Sequence, residues 1–161
     1  MARKEVLGIG SLSRNFRALK TGMQTRTGRA MVVAAGGVLK RKAKANAQAL
    51  GLKRTGSMIK NIVIKRESRS PPDTVQYNLG VRHGRNLTKK QKSTAKLAVG
   101  RGGRIVKRYE DDPYYWRFQE LRTRYREATP FLGPALEQGK KEAIDAMEKR
   151  LQQELEKAGK E

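Results

Sequence analysis

Cysteine is absent from the chain. Disulfides, thiol nucleophiles and thiolate metal sites are therefore excluded. Histidine occurs once, as His83, which leaves no second imidazole for a metal site of ordinary type. A Ser/His/Asp arrangement would have to use His83, and the chain has no glycine-flanked GxSxG nucleophile. It has no GxxxxGK[ST] phosphate loop either. Long apolar runs are missing too: none approaches the roughly 18 residues of a membrane span. The N-terminal MARKEVLGIG lacks the apolar stretch of a signal peptide. These absences argue against an enzyme, a metal, a cofactor and a membrane location. They leave a soluble protein of a reducing cytoplasm, or of an assembly built there.

Acids are scarce in one part of the chain only. Residues 1–109 carry 27 Lys/Arg against 3 Asp/Glu, a net of +24, whereas residues 110–161 carry 10 against 12. Aromatics show the same boundary. Tyr109, Tyr114, Tyr115, Trp116, Phe118, Tyr125 and Phe131 lie close together, and only Phe16 and Tyr77 lie elsewhere. The chain thus reads as a basic body, an aromatic block and a near-neutral tail. Its 161 residues suit a single domain, 1–161. A hydrophobic share of 37% is low and a charged share of 32% is high for a globular domain. A net charge of +22 repels itself. It calls for nucleic acid, an anionic membrane or acidic neighbouring subunits.

The pattern along the chain predicts an α+β fold: a small antiparallel sheet packed by a long N-terminal-half helix and a long C-terminal helix, with a basic loop insertion. Residues 11–50 read as helical. A short strand at Glu5–Ile9 precedes a short helix with Leu12, Phe16 and Leu19 on one face, capped by Ser11 or Ser13 and broken at Thr21-Gly22. A longer helix runs from Thr27–Arg29 to Leu50, with Met31, Ala35, Val38, Leu39, Ala43 and Leu50 on its apolar face. Gly36-Gly37 marks a bend or a close contact, and Gly51 terminates the helix. Lys40, Arg41, Lys42 and Lys44 form a solvated basic face or a partner surface. Thr55-Gly56-Ser57 is a turn. Residues 61–83 hold two strands of a hairpin, Asn61–Arg66 and Thr74–Arg82, separated by the SRSPPD loop.

Residues 84–108 hold nine Lys/Arg and no acid. They read as a basic loop, with a strand at its Arg104–Arg108 end. Residues 109–128 form the aromatic segment. There, alternation at Tyr114, Trp116 and Phe118 competes with helical spacing at Tyr115, Phe118 and Leu121. Trp116, Phe118 and Phe131 read as core. Residues 129–158 form a C-terminal helix that Thr129 can cap, with Pro130 or Pro134 in its first turn. At about 25 residues and about 37 Å it exceeds what a small sheet can cover.

Two sets of residues stand out as candidate sites. Arg85, Lys89, Lys90, Lys92, Lys96, Arg101, Arg104, Lys107 and Arg108 could face DNA. Clustered bases neutralise phosphates without reading sequence, and no base-reading element accompanies them. An acidic protein surface would serve the same charges. Tyr114, Tyr115, Trp116, Tyr125, Phe131, Leu132, Leu151 and Leu155 are candidates for a subunit interface, where aromatic anchors are favoured. His83 reads as a structural or surface residue. The acids Glu110, Asp111 and Asp112 beside Pro113 read as a solvated turn or a salt-bridge patch.

The order of these features resembles a known family. Gly10-Ser11-Leu12, Asn15-Phe16 and Leu19 come first, followed by the long basic helix. Arg54-Thr55-Gly56-Ser57-Met58 then leads into Asn61-Ile62-Val63-Ile64. The aromatic segment with Tyr115–Glu120 follows, and Thr129-Pro130-Phe131-Leu132-Gly133-Pro134-Ala135-Leu136 opens the last helix. This is similar to the tail-component family of long-tailed bacteriophages, also described as tail-completion, neck or minor tail protein Z-like. The chain departs from the family pattern at Glu120–Thr123, where many relatives carry glycine-threonine, and in its longer 84–108 insertion.

The resemblance implies a non-enzymatic virion protein at the head–tail joint, assembled in the host cytoplasm. It implies a homo-oligomeric ring, six-membered by expectation, around a DNA channel. Its implied neighbours are the head-closure, tail-terminator or tail-tube proteins. The rival reading from composition alone is a basic RNA- or DNA-binding protein of the ribosome-associated type.

Overall fold

The computed structural model of the protein describes residues 10, 21–53, 55–71 and 74–158. The short strand and helix expected over residues 5–19 lie outside them. The elements are helix α1 (Thr21–Ala49), the single turn α2 (Ser57–Lys60), strands β1 (Ile62–Arg66) and β2 (Tyr77–Val81), and the single turn α3 (Lys89–Lys92). Strands β3 (Lys96–Val99) and β4 (Ile105–Arg108) follow, then α4 (Trp116–Glu120) and α5 (Leu132–Ala158). The α+β expectation holds: there are two long helices and two two-stranded sheets, β1–β2 and β3–β4.

The chain divides into two compact units. One comprises the described residues within Met1–Lys42, Ile64–Leu79 and Ala135–Glu161; the other comprises those within Ala43–Val63 and Gly80–Pro134.

In the first unit, α1 and α5 run antiparallel. Met31 of α1 packs with Leu151 of α5, and Met147 and Leu155 lie against that pair. About two to three turns along, Lys42 meets Glu142 at 2.7 Å, and Gly139 comes so close to α1 that a Cβ there would stand 2.6 Å from Leu39 Cδ2. Numbers rise along one helix as they fall along the other, which fixes the antiparallel sense. Met31, Ala35 and Val38 recur at helical spacing and are buried, as the pattern predicts. Gly36 is the predicted close contact. A Cβ on it would stand 3.0 Å from Ile64 Cδ1 of β1, so the missing side chain lets helix and strand approach.

The start of α1 differs from expectation. Thr21 and Gly22 lie inside the helix rather than breaking it. Its end agrees. Gly51 has φ +67, its N–H donates to Gln48 O at 3.0 Å, and Leu52 N–H donates to Ala47 O at 3.0 Å. These two bonds form a Schellman termination, which satisfies carbonyls that the last turn leaves open. Leu50 is 46% exposed and does not belong to the buried face.

In the second unit, Met58, Ile59, Ile62, Val81, Leu87 and Phe131 are buried. The Thr55-Gly56 turn holds as predicted, with Gly56 at φ 73 preceding α2. Arg82 N–H donates to Asn61 O at 2.8 Å beside the β1–β2 pair. In the 84–108 segment the strand expected at the Arg104–Arg108 end is present as β4 (Ile105–Arg108), but the rest is a correction: it is not a loop. Gly84–Asn86 forms a 3-10 turn, Lys89–Lys92 forms α3, and β3 pairs with β4 in antiparallel register from Lys96↔Arg108 to Val99↔Ile105. Local hydrogen bonds supply the order that hydrophobic content does not. Thr88 Oγ1 accepts from Gln91 N–H at 3.3 Å while Gln91 Oε1 accepts from Thr88 N–H at 3.0 Å, a reciprocal capping box. Gln91 Nε2 also donates to Asn61 Oδ1 at 3.1 Å, and Asn61 is buried.

In the aromatic segment the helical spacing prevails over alternation, giving α4. The start of α5 is a second correction. Thr129 does not cap it. Its N–H donates to Gln119 O at 2.7 Å and its hydroxyl to Gln119 Oε1 at 3.1 Å. The cap is Glu120, which reaches the helix from the end of α4. Its Oε2 accepts from the N–H groups of Phe131 at 2.9 Å and Leu132 at 3.0 Å, and its Oε1 accepts from Gly133 N–H at 2.9 Å. A carboxylate suits that place because the first N–H groups of a helix lack intrahelical acceptors and carry partial positive charge. Pro134 sits in the first turn, as expected.

This packing sets the expected cost of two substitutions. Glu120→Ala leaves three N–H groups without their acceptor and should cost about 2 kcal/mol, with Glu120→Gln costing less. Thermal unfolding followed by circular dichroism checks this, and an unchanged midpoint for Glu120→Ala would show the cap to be idle. Trp116 is half-buried, and its buried Nε1 has no hydrogen-bond partner. Trp116→Phe should therefore change stability by no more than about 1 kcal/mol, because no hydrogen bond is broken. Trp116→Ala should cost more than Trp116→Phe but fall below the roughly 3–5 kcal/mol of a fully buried ring. Chemical denaturation of the two variants side by side measures the difference.

Candidate functional site

The nine basic residues singled out from the sequence share one property in the structure: all are exposed. They occupy three carriers. Arg85 lies on the 3-10 turn, and Lys89, Lys90 and Lys92 lie on α3. Lys96, Arg101, Arg104, Lys107 and Arg108 lie on the β3–β4 hairpin and its tip. The sheet register assigns faces. Lys96, Ala98, Val106 and Arg108 share one face of the ribbon; Leu97, Val99, Ile105 and Lys107 share the other. On the second face Leu97 is 72%, Val99 71% and Ile105 73% exposed. The hairpin is therefore basic along its length and apolar on one side, and that side is bare.

Its root is tied down by the three consecutive acids. Glu110 accepts from Lys96 Nζ at 2.7 Å, and its own N–H donates to Thr94 Oγ1 at 3.2 Å. The Glu110 carboxylate, by hydrogen bond and by charge, raises the Lys96 ammonium above its ordinary 10.5. Asp111 Oδ1 accepts from Ser57 Oγ at 2.7 Å. Asp111 also has φ 58 and is the one non-glycine residue of positive φ among the described residues. Asp and Asn tolerate that conformation better than most side chains. Asp112 accepts from Gly84 N–H through both carboxylate oxygens at 3.2 Å. The two ends of the basic segment, Gly84 and Asp112, are thus held together.

Beside this root lies a cleft of about 750 Å3, lined in part by Met58, Tyr109, Asp111, Asp112, Tyr115 and Phe118. Tyr114 on its rim is 67% exposed and Phe118 is 54% exposed. Phe118, expected in the core, is thus a surface residue. Tyr125 at 90% and Leu121 at 62% are exposed as well. Arg126 contributes a guanidinium to the lining, and Arg122 pairs with Glu127 at 3.1 Å. Aromatic faces beside carboxylates form a chemistry suited to cationic side chains. His83 stands 6.2 Å from the Trp116 ring, tilted by 54°.

The interface candidates separate accordingly. Tyr114 and Tyr125 are exposed, and Tyr115, Trp116, Leu132 and Leu155 are half-buried. Phe131 at 0% and Leu151 at 1% are spent inside the chain and leave the interface set. Sequence reasoning passed over Glu120 as a cap and gave Asp111 and Asp112 only as part of a solvated turn or salt-bridge patch, not as the ties to Ser57 and Gly84. A signal existed for the pair: no acid lies between Asp73 and Glu110, and then three occur in a row. The GRGGR run between the apolar stretches Leu97–Val99 and Ile105-Val106 was likewise a hairpin signal.

No helix among the described residues is long and apolar enough to cross a membrane. No curated protein and no solved structure matches the chain significantly. A family model does match, over residues 10–121, with the description "Bacteriophage HK97-gp10, putative tail-component". The matched stretch includes the Thr55-Gly56 turn, β1 and both strands of the basic hairpin, and ends before the Thr129–Leu136 junction. It spans well over half of the 161 residues, and on that match the chain belongs to the HK97-gp10-like family of bacteriophage tail components.

Proposed function

We propose that the chain is a structural virion protein of the head–tail neck, which completes the head-proximal end of the tail. In this reading it forms a ring of six copies around the DNA channel and has no catalytic role. The observation that carries the proposal is the exposed, acid-free row of bases on residues 85–108 in a chain of the tail-component family. A row of this kind faces DNA phosphates in a channel without needing sequence recognition. Its neighbours along the axis are a head-closure protein on one side and a tail terminator or tail tube on the other. Both the order of assembly in the host cytoplasm and the ring belong to this proposal.

Imaging of assembled particles with the chain labelled tests the location. Label at the top of the tail supports the reading, and label confined to the capsid shell overturns it. A charge experiment tests the DNA-facing role. Lys89, Lys90 and Lys92 are exposed on α3, and none is needed for the Thr88–Gln91 capping box. Replacing all three by glutamine should leave the thermal midpoint in place. It should lower the salt slope of duplex binding by about 2–3, close to one for each phosphate no longer neutralised. An unchanged slope removes α3 from the DNA-facing surface.

A further inference from the structure

We propose that the β3–β4 hairpin of one copy docks into the aromatic–acidic cleft of a second copy of this chain. The inference rests on the ring reading above, names the contact that would build it, and divides the basic row: Arg85 and the α3 bases Lys89, Lys90 and Lys92 stay free for DNA, while the hairpin's bases go to the neighbouring copy. Two bare surfaces on the same unit carry it. The first is the apolar face of the hairpin, where Leu97, Val99 and Ile105 are each more than 70% exposed. A free two-stranded ribbon is marginal in water, and the backbone-only DNA contact proposed above uses charge and gives an aliphatic face no cover. The second is the cleft with Tyr114 and Phe118 exposed on it and Asp111 and Asp112 in its wall.

Their chemistries complement each other. The hairpin and its tip bring Arg101, Arg104 and Lys107 beside aliphatic side chains and hold no acid. The cleft brings two carboxylates and four aromatic rings against a single guanidinium, Arg126. Cations over aromatic faces and near carboxylates are favourable, and Leu97, Val99 and Ile105 gain cover. Two hairpins stacked face to face would instead oppose like charges. Both surfaces are exposed within one chain, so a chain does not fill its own cleft. A hairpin in the next copy's cleft is a heterologous contact, which generates a closed ring when the rotation closes.

The absence of cysteine makes a clean test. Full-length Val99→Cys protein is mixed with full-length Phe118→Cys protein, and a short bifunctional thiol reagent is added. Covalent heterodimers in the mixture, absent from each variant alone, support the docking. A chain carrying both substitutions should then give a ladder of multimers. As a second measurement, the Leu97→Ser, Ile105→Ser double variant should keep the wild-type circular dichroism and thermal midpoint, because both side chains are exposed in the single chain. Its self-association by sedimentation should weaken about a hundred-fold or more. Oligomers that form without the heterodimer cross-link, and that survive the double substitution, overturn the docking while leaving a ring intact. Protein that remains single-chain at every concentration and gives no cross-link overturns the docking and the ring together. Burial of the hairpin only when duplex DNA is added assigns it to nucleic acid and also overturns the docking.

Discussion

Three backbone N–H groups at the start of α5 converge on the carboxylate of Glu120, and much of the second unit is arranged around that meeting. The bonds come from Phe131, Leu132 and Gly133 at 2.9–3.0 Å. They tie the last residue of α4 to the first turn of the longest C-terminal element. Phe131, fully buried, is held in the same motion. Gln119, the neighbouring residue, binds Thr129 through its backbone and side chain. The α4 turn is too short to be stable by its own hydrogen bonds. Its place comes from these contacts at its C-terminal end and from the Trp116–His83 ring contact at its start. Phe118, on the same turn, then projects into the cleft as a result of that anchoring.

The basic hairpin obeys a related economy. It has almost no buried apolar surface of its own, so order enters at its root. Glu110, Asp111 and Asp112 each take a different partner there: Lys96, Ser57 and the Gly84 backbone. The Thr88–Gln91 box and the Gln91–Asn61 bond fix the approach to it. Of the two readings the sequence allows for these acids, a solvated turn and a salt-bridge patch, the Lys96–Glu110 pair meets the second; all three acids act as structural fasteners, and they leave most bases of residues 85–108 displayed rather than neutralised. Only Lys96 among those nine has an ion-pair partner among the described residues.

Much of this architecture was legible in the sequence where period and punctuation agree. The apolar face of α1 through Met31, Ala35 and Val38, the Gly51 stop, the Thr55-Gly56 turn and the β1–β2 strands all follow from local rules. Local rules fail where a distant partner decides. Thr129 is a good capping residue, yet a longer-reaching carboxylate from α4 takes the helix end. The charge of residues 84–108 hid β3, the partner of the strand expected at Arg104–Arg108, because a strand with no buried face violates the usual alternation argument. Phe118 belongs to a hydrophobic type but stands on the open face of a five-residue turn, a placement that periodicity over so short an element cannot decide. The candidate site was legible as composition, a basic segment beside an aromatic one. The cleft itself was not legible, since it is formed by residues from Gly51 to Arg126 that only tertiary structure brings together.

The β3–β4 ribbon is a sheet of two strands, and neither outer edge has a further strand beside it among the described residues. Such edges offer unsatisfied backbone donors and acceptors to any passing strand, and proteins blunt them with charge. Here Lys96, Arg104, Lys107 and Arg108 supply the blunting by mutual repulsion between molecules. That protection is colloidal, and its range shrinks from about 10 Å in 0.1 M salt to about 3 Å in 1 M salt. Ionic strength thus sets the shelf life of a purified sample. Dilute salt keeps ribbons apart, and concentrated salt lets their edges meet.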